Sequence, residues 1–240
     1  MLYVLGSAFT LWMAVEAVRR GDAGRWLWII LVFGPIGAAV YFFSEVAGGG
    51  RIALFGFRQR KVTAAELRQA EVDVKRLDNA ASWAEYASLL RARKDHAKAA
   101  EAATRAVERA PNDANAGYEL GLALLGAGRF AEAVPALEAV VARDRRYEAD
   151  EALYALAKAQ QGANDLAAAR ASLMELSERR SRPEILFDLA TVQGLLGERE
   201  PALRSLQRIV DEAVLVPPYL QREVRPWVRR AKQAIAKLGG

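Results

Sequence analysis

Hydrophobic residues are spread unevenly along this chain, and their pattern changes near residue 57. Residues 1–57 are dominated by Leu, Val, Ile, Phe, Trp and Gly, whereas residues 58–240 are rich in Ala, Glu, Arg, Leu and Lys. A long apolar segment before an alanine- and charge-rich part is typical of a membrane segment joined to a helical domain in water. The pattern therefore predicts an all-α protein with two unlike parts.

The first part contains two apolar runs, at 2–18 and 26–43, separated by the sequence RRGDAGR. Each run has nearly the length that a helix needs to cross about 30 Å of hydrocarbon at about 1.5 Å per residue. We therefore predict two transmembrane helices that form a hairpin anchor over residues 1–47. A cleavable signal peptide is the alternative for the first run, but that run lacks a basic start and a small-x-small cleavage site.

The residues that flank the two runs give little information on topology. Three arginines lie in the loop at 19–25, and four basic residues follow the second run, namely Arg51, Arg58, Arg60 and Lys61. The positive-inside rule compares the numbers of basic residues in these two groups. Because the numbers are nearly equal, the rule barely discriminates between the orientations. We expect an integral protein of the bacterial inner (cell) membrane whose repeat domain lies in the cytoplasm.

The second run also carries a family pattern. It starts with Trp26, turns at Gly34-Pro35-Ile36-Gly37 and ends with Tyr41 and Phe43. Over roughly the first 45 residues the chain resembles the short two-helix domain that precedes the catalytic domains of phospholipase D and cardiolipin synthase. The resemblance implies a membrane anchor that takes no part in catalysis.

Helical signals begin after the glycines at 48–50. The sequence Thr63-Ala-Ala-Glu66 is a capping box, in which the side chains of the first and fourth residues satisfy each other's backbone N–H groups. It predicts a helix from about residue 64 to Leu77. We assign residues 48–79 to a linker and this leading helix.

Small residues then recur with a long period. Four alanines follow one another at spacings of 34, 36 and 33 residues, namely Ala99, Ala133, Ala169 and Ala202. A second set of small residues lies at Gly121, Ala157 and Ala190. Such a period is typical of helix pairs that are too small to bury their own apolar side chains and that stack into a solenoid. We predict four repeats over residues 80–213.

The second repeat resembles the tetratricopeptide family. It carries Leu120-Gly121 and the pattern Gly-x-Phe-x-x-Ala at Gly128, Phe130 and Ala133. Two departures are Asn164 at the turn glycine of the third repeat and Arg199 at an aromatic position of the fourth, and Asn tolerates the turn geometry. The resemblance implies a right-handed solenoid whose first helices line a concave groove for a protein partner.

The last segment, 214–240, is predicted to cap the solenoid. Pro217-Pro218 ends the repeats, and a terminal helix follows from about Tyr219 to Leu238. Trp227 is placed to cover the last repeat, because capping helices protect solenoid ends from aggregation. Pro226 predicts a kink in this helix or a break into two pieces.

Alignment of the repeats places three aromatic residues at one position that faces the groove: Tyr118, Tyr154 and Phe187. Two interpretations stay open. The rings could anchor a bound peptide, since aromatic residues dominate interface energetics, or they could pack against the neighbouring helix pair. Polar neighbours on the same face include Arg91, Asn115 and Lys158. Glu119 and Glu151 lie at positions where a carboxylate clamp of this family needs basic or amide groups, so that partner class is disfavoured.

The sequence offers little for catalysis. Cysteine is absent, and the single histidine, His96, is followed by Lys98 but by Ala103 where the phospholipase D motif needs Asp. We place His96 in a turn, as a solvated or capping residue, and the carboxylates of Asp150 and Glu151 on the surface. Other catalytic and phosphate-binding motifs are missing. We therefore expect no enzyme activity, no cofactor or metal, and no small-molecule substrate.

The formal net charge is +5 and the pI about 9.6, but basic and acidic residues are interleaved, so we expect no nucleic-acid binding. The leading hypothesis is a membrane-anchored adaptor or scaffold that binds another protein at the bilayer surface. The alternative is a structural or regulatory subunit of a membrane complex that contacts its partners through the hairpin. A link of such a subunit to lipid synthesis is implied only by the anchor resemblance.

Overall fold

The computed structural model describes residues 62–148 and 150–239. The predicted transmembrane hairpin, its phospholipase D-like pattern and the glycines at 48–50 lie outside these ranges. Within them, no helix combines the length and the apolar character needed to cross a bilayer.

The described ranges contain ten α-helices joined by short connections. Their bounds are α1 Ala64–Leu77, α2 Ala80–Ala92, α3 His96–Arg109, α4 Ala114–Gly126, α5 Phe130–Arg143, α6 Glu151–Gly162, α7 Leu166–Arg179, α8 Pro183–Leu195, α9 Arg199–Glu212 and α10 Gln221–Gly239. The all-α prediction is confirmed over this part of the chain.

The leading helix α1 begins with the predicted capping box. The backbone N–H of Thr63 donates to Glu66 Oε2 at 2.8 Å, and the backbone N–H of Glu66 donates to Thr63 Oγ1 at 3.1 Å. The helix ends at Asp78, whose φ of 42° is left-handed. Two of the N–H groups that a helix start leaves unpaired are thereby satisfied, which confirms the prediction for 64–77.

The next eight helices form four pairs: α2 with α3, α4 with α5, α6 with α7, and α8 with α9. The connection within each pair has only three residues, which makes the two helices antiparallel neighbours. The four periodic alanines, Ala99, Ala133, Ala169 and Ala202, are fully buried. The four pairs form a helical solenoid over 80–212.

Small residues allow close helix contacts at three points. A Cβ atom on Gly121 would lie 2.4 Å from Leu137 Cγ, and one on Gly162 would lie 2.4 Å from the ring of Phe130. A Cβ on Gly126 would lie 2.2 Å from Nδ1 of His96. His96 and Phe130 are each the first residue of a second helix, and each ring lies over the last residue of the following first helix.

The turns inside the pairs share one left-handed residue. The φ angles are 66° at Lys94, 74° at Gly128, 64° at Asn164 and 77° at Gly197. These positions recur at the repeat spacing, which confirms that Asn164 serves in place of glycine. Lys94, which lacks the freedom of glycine and the local hydrogen bonding of asparagine, is the strained member.

The far end of each pair is closed by a polar bond between the last residue of the second helix and a residue just before the first helix. Arg109 donates to both carboxylate oxygens of Asp78, at 2.8 and 2.9 Å, and Arg179 donates to Asp150 at 3.2 Å. The other two bonds join Arg143 to Asn112, and Ser181 to Glu212. This closing bond recurs in all four pairs, with Arg and Asp in two of them and other residue types in the other two.

The terminal helix α10 is continuous, so of the kink or break predicted at Pro226 the break does not occur. Pro226 is the sixth residue of the helix and is exposed, as is Arg222, whose carbonyl loses its helical partner to the proline ring. Water can satisfy that exposed carbonyl, so the helix continues. Trp227 packs with Phe187 and Ala231 in a cluster that also contains Leu206, which confirms that Trp227 covers the last repeat.

Candidate protein-binding face

The first helices of the pairs form one side of the solenoid, which we call the inner face. The helices α2 and α4 contact each other, as do α4 and α6, and side chains connect α6 to α8. Six residues were predicted to bind a partner on this face: Arg91, Asn115, Tyr118, Tyr154, Lys158 and Phe187. The structure places all six on first helices.

Tyr118 packs against the connection between the second and third pairs. Its ring meets the ring of Tyr147 edge-on, with centroids 5.3 Å apart and an interplanar angle of 65°. Burial, and secondly the negative charge of Glu151, raises the pKa of the Tyr118 hydroxyl to about 12. The hydroxyl therefore stays protonated, and the ring remains partly exposed.

Tyr154 is tied to the fourth pair. Its hydroxyl donates to Asp188 Oδ2 at 2.6 Å, and Lys158 Nζ reaches the same oxygen at 3.2 Å. The guanidinium of Arg182 lies over the ring, 5.3 Å from its centroid. Burial and the hydrogen bond to Asp188 raise the pKa of Tyr154. Four side chains from two pairs thus form one polar cluster around a partly exposed ring.

Phe187 contacts the capping helix. Its ring centroid lies 5.8 Å from that of Trp227, with the planes tilted by 56°. Each of the three predicted aromatic residues therefore has an intramolecular partner, as the packing interpretation requires. All three remain partly exposed, and their contact with a bound peptide stays a prediction.

The acidic groups of the inner face are paired with arginines. Arg91 donates to both carboxylate oxygens of Glu119 at 3.1 Å, and Glu119 is nearly buried. Arg182 donates to Glu151 at 2.6 Å. Because each carboxylate has a partner in another pair, the argument from acidic repulsion against a peptide carboxylate loses its basis.

Asn115 differs from the other five residues. Its side chain is exposed and has no hydrogen bond among the described residues, while its backbone N–H donates to Asp113 Oδ1 at 2.9 Å. The remaining five form a strip of side-chain contacts between successive pairs. Trp227 was predicted to cover the last repeat, but the other partners in that strip were not predicted as contacts: Glu119, Tyr147, Arg182 and Asp188. No periodic signal in the sequence marks them.

Two polar residues were placed wrongly. His96 is not in a turn but begins α3, where its ring is half-buried against Gly126 and Nδ1 has no hydrogen-bond partner among the described residues. Asp150 is not on the surface; it is buried, with a left-handed φ of 72°, and pairs with Arg179 and Arg180 at 3.2 and 3.3 Å. The fold half-buries His96 against the second pair and buries Asp150 beside the end of α7.

Family models agree with the helix pairs. Residues 80–113 and residues 118–184 each match a tetratricopeptide repeat model. The matched segments cover the first pair and most of the next two. They do not reach the N-terminal segment, so its resemblance to the phospholipase D anchor gains no support from them.

Solved structures show the same fold. MamA from Desulfovibrio magneticus RS-1, residues 41 to the end, matches with a TM-score of 0.58, and a MamA RS-1 ArsTM double mutant matches with 0.57. Each has 17% sequence identity and covers 71% of this chain and 92% of the other. No curated protein matches this chain. Helix geometry, burial and the family models together show that this chain contains tetratricopeptide repeats.

Proposed function

We propose that the chain is a scaffold that residues 1–47 hold at a membrane and that binds a protein or peptide on the inner face of its repeats. The observation that carries the proposal is the strip of contacts from Arg91 to Trp227. It fixes partly exposed aromatic edges before a partner arrives. A preorganised aromatic surface loses little conformational entropy on binding.

The charge pattern of this face indicates what the partner supplies. Glu119, Glu151 and Asp188 are each matched by a basic side chain within the strip. Since the charges already compensate one another, apolar side chains of an extended or helical peptide would make the main contribution. Binding on the inner face should therefore depend weakly on salt.

The membrane anchor is supported by the two apolar runs in the sequence. A tether raises the effective concentration of the scaffold near membrane-bound partners, so a modest affinity suffices. The full chain should remain in the membrane pellet after an alkaline carbonate wash, and the chain without residues 1–47 should not. Release of the full chain by that wash would contradict the anchor. The wash does not bear on the binding face, which has its own test.

Site-specific crosslinking tests the binding face. A photoreactive phenylalanine analogue is placed in the full chain at Asn115 or Thr191, two exposed residues of the inner face. Matched controls carry it at Glu138 or Arg204, which are exposed on second helices. We expect the two inner positions to crosslink to the same protein in native membranes and the control positions not to do so.

Two outcomes would contradict the binding face. Equal crosslinking from inner and control positions would mean that the contact is not specific to the first helices. If Asn115→Arg with Thr191→Arg leaves capture of that protein unchanged, but replacement of residues 1–47 by an unrelated hairpin abolishes it, the hairpin is the contact. The chain would then be a subunit of a membrane complex.

A further inference from the structure

The capping helix α10 occupies the place of a first helix in a fifth pair. It contacts α9 and α8, just as α6 contacts the preceding second helix α5 and the preceding first helix α4. Each earlier first helix also packs against the second helix of its own pair. Among residues 62–148 and 150–239, no helix covers α10 in that way.

The uncovered side of α10 forms a groove with the end of α9. The groove has a volume of about 680 Å³. Its apolar floor includes Val210 and Val214 from the α9 side, and Val224 and Val228 from α10. Val214 within the groove and its chain neighbour Leu215 are 80% and 83% exposed, the highest values among the large hydrophobic residues described. Exposed apolar groups gathered at a groove mark an interaction surface.

The groove also has a cationic edge. Arg225, Arg229 and Lys232 line it, at spacings that place them on one side of the helix, and no carboxylate lies among its described lining residues. The whole helix carries six basic residues against Glu223. None of the six forms an ion pair within the described part of the chain, whereas most arginines of the repeats do.

We propose that this groove binds an acidic amphipathic helix of a partner protein, which takes the position of the missing second helix. The apolar stripe of such a helix would cover Val224 and Val228, and its Asp or Glu residues would meet Arg225 and Arg229. The second helices already present are 14 residues long, so the groove suits a segment of that length. This site lies outside the inner face and does not depend on the function proposed for that face.

Charge and shape argue against the other occupants. Residues 1–61 contain seven basic and three acidic residues, so that segment would be repelled. A symmetric dimer through the groove would bring two copies of the cationic edge together. An anionic bilayer would attract the charges, but a flat surface cannot fill a groove between two helices.

The test uses the full chain in nanodiscs of neutral phosphatidylcholine. The probe is a fluorescent 14-residue peptide with leucines at helical spacing and glutamates on the remaining positions, matched by a peptide with lysines in place of the glutamates. Fluorescence anisotropy should show that the acidic peptide binds at least about tenfold more tightly, with an affinity that falls as salt rises.

Charge reversal locates the binding. Arg225→Glu with Arg229→Glu should weaken binding of the acidic peptide by about tenfold or more, since two attractive contacts become repulsive. Arg222→Glu with Lys237→Glu changes the net charge of the same helix by the same amount, at residues outside the groove. This control should weaken binding of the acidic peptide by less than about threefold. Val228→Trp should also weaken binding by filling the groove. Circular dichroism melts establish that each variant is folded.

Each alternative outcome overturns the proposal. Equal losses from the two double variants would show diffuse attraction to a basic helix. Comparable binding of the lysine peptide would exclude charge selection. If phosphatidylglycerol vesicles displace the acidic peptide and bind only when Arg225 and Arg229 are intact, the occupant is a lipid surface. If the unmodified chain sediments as a dimer and the Val228→Trp variant sediments as a monomer, the occupant is a second copy.

Discussion

Gln160 and Ser172 illustrate how single residues adapt within this solenoid. The Ser172 hydroxyl donates to Gln160 Oε1 at 2.9 Å, and Ser205 donates to Gln193 at 2.8 Å in the next pair. All four residues are buried. At the equivalent positions, the first repeat has Leu90 with Ala102, and the second has Leu124 with Ala136. The chain thus uses either a polar or an apolar combination, and never a mixed one.

This exchange predicts a strong coupling between the two positions. Ser172→Ala should lower the free energy of unfolding by about 1–2 kcal/mol, because Gln160 Oε1 loses its donor while buried. Gln160→Leu should also be destabilising. The double change Gln160→Leu with Ser172→Ala recreates the combination of the first repeats and should recover most of the loss. Urea denaturation of the unmodified chain and the three variants measures the coupling, and simple additivity of the two single effects would contradict it.

Tyr118 links residue chemistry to pH. Its pKa in the folded chain is about 12, above the ordinary value of 10. A group that loses its proton less readily when folded contributes stability that is fully present below pH 10 and is lost as the pH rises to about 12. Tyr118→Phe keeps the ring against Tyr147 and should make the fall in unfolding free energy over this range shallower. An unchanged slope would contradict the burial effect.

At the residue scale, the sequence was informative about small residues and uninformative about polar partners. Ala99 and Ala133 could be predicted because the close approach of helices demands small side chains at a fixed spacing. The partners of Tyr118 and Tyr154 could not, because each comes from a different kind of element, and Trp227 could be assigned to the last repeat but not to Phe187. A connection supplies Tyr147, a first helix supplies Asp188, and the cap supplies Trp227.

The junction between α5 and α6 shows the same adaptation at the scale of elements. Phe130 rests on Gly162, whereas the next junction has the smaller Leu166 and the larger Leu195 at the equivalent positions. Bulk on one helix is therefore balanced by a small residue on its neighbour. Side-chain volume at such junctions sets how closely consecutive pairs approach.

Two glycines near helix ends should respond oppositely to alanine. Gly162→Ala places a Cβ within 2.4 Å of the Phe130 ring, and the resulting strain should exceed the gain in helix propensity, for a net loss of about 1 kcal/mol. Gly194→Ala has no atom within 4 Å of the new Cβ and should gain about 0.5 kcal/mol. Thermal unfolding by circular dichroism compares them. A stabilised Gly162→Ala variant would mean that the ring moves away freely.

At the element scale, the sequence predicted which segments are helical better than how they are joined. The repeat spacing gave the pairs, and the capping box gave the start of α1. The closing bonds were missed, because Arg109 with Asp78 and Glu212 with Ser181 share a position but not a residue type. Of the kink or break predicted at Pro226, the break does not occur, because one exposed unpaired carbonyl costs little in water.

At the scale of the molecule, stability is the sum of contacts between neighbours. Each pair contacts the pair before it and the pair after it, and α10 contacts only the last pair within the described residues. A change at one end of such a stack affects nearby pairs most strongly, since the main helix contacts of the described residues join neighbouring pairs. The cap and the first repeat should therefore respond independently.

Trp227→Ala tests this independence. The change removes the ring that packs on Phe187 and should weaken the docking of α10 by about 3 kcal/mol. Amide hydrogen exchange followed by mass spectrometry should show faster exchange in α8, α9 and α10, while α2 to α5 keep the exchange rates of the unmodified chain. Tyr219→Ala is the matched control, because this ring is 59% exposed and its loss should change neither region. A uniform rise across all four pairs would instead mean that the solenoid opens as one cooperative unit.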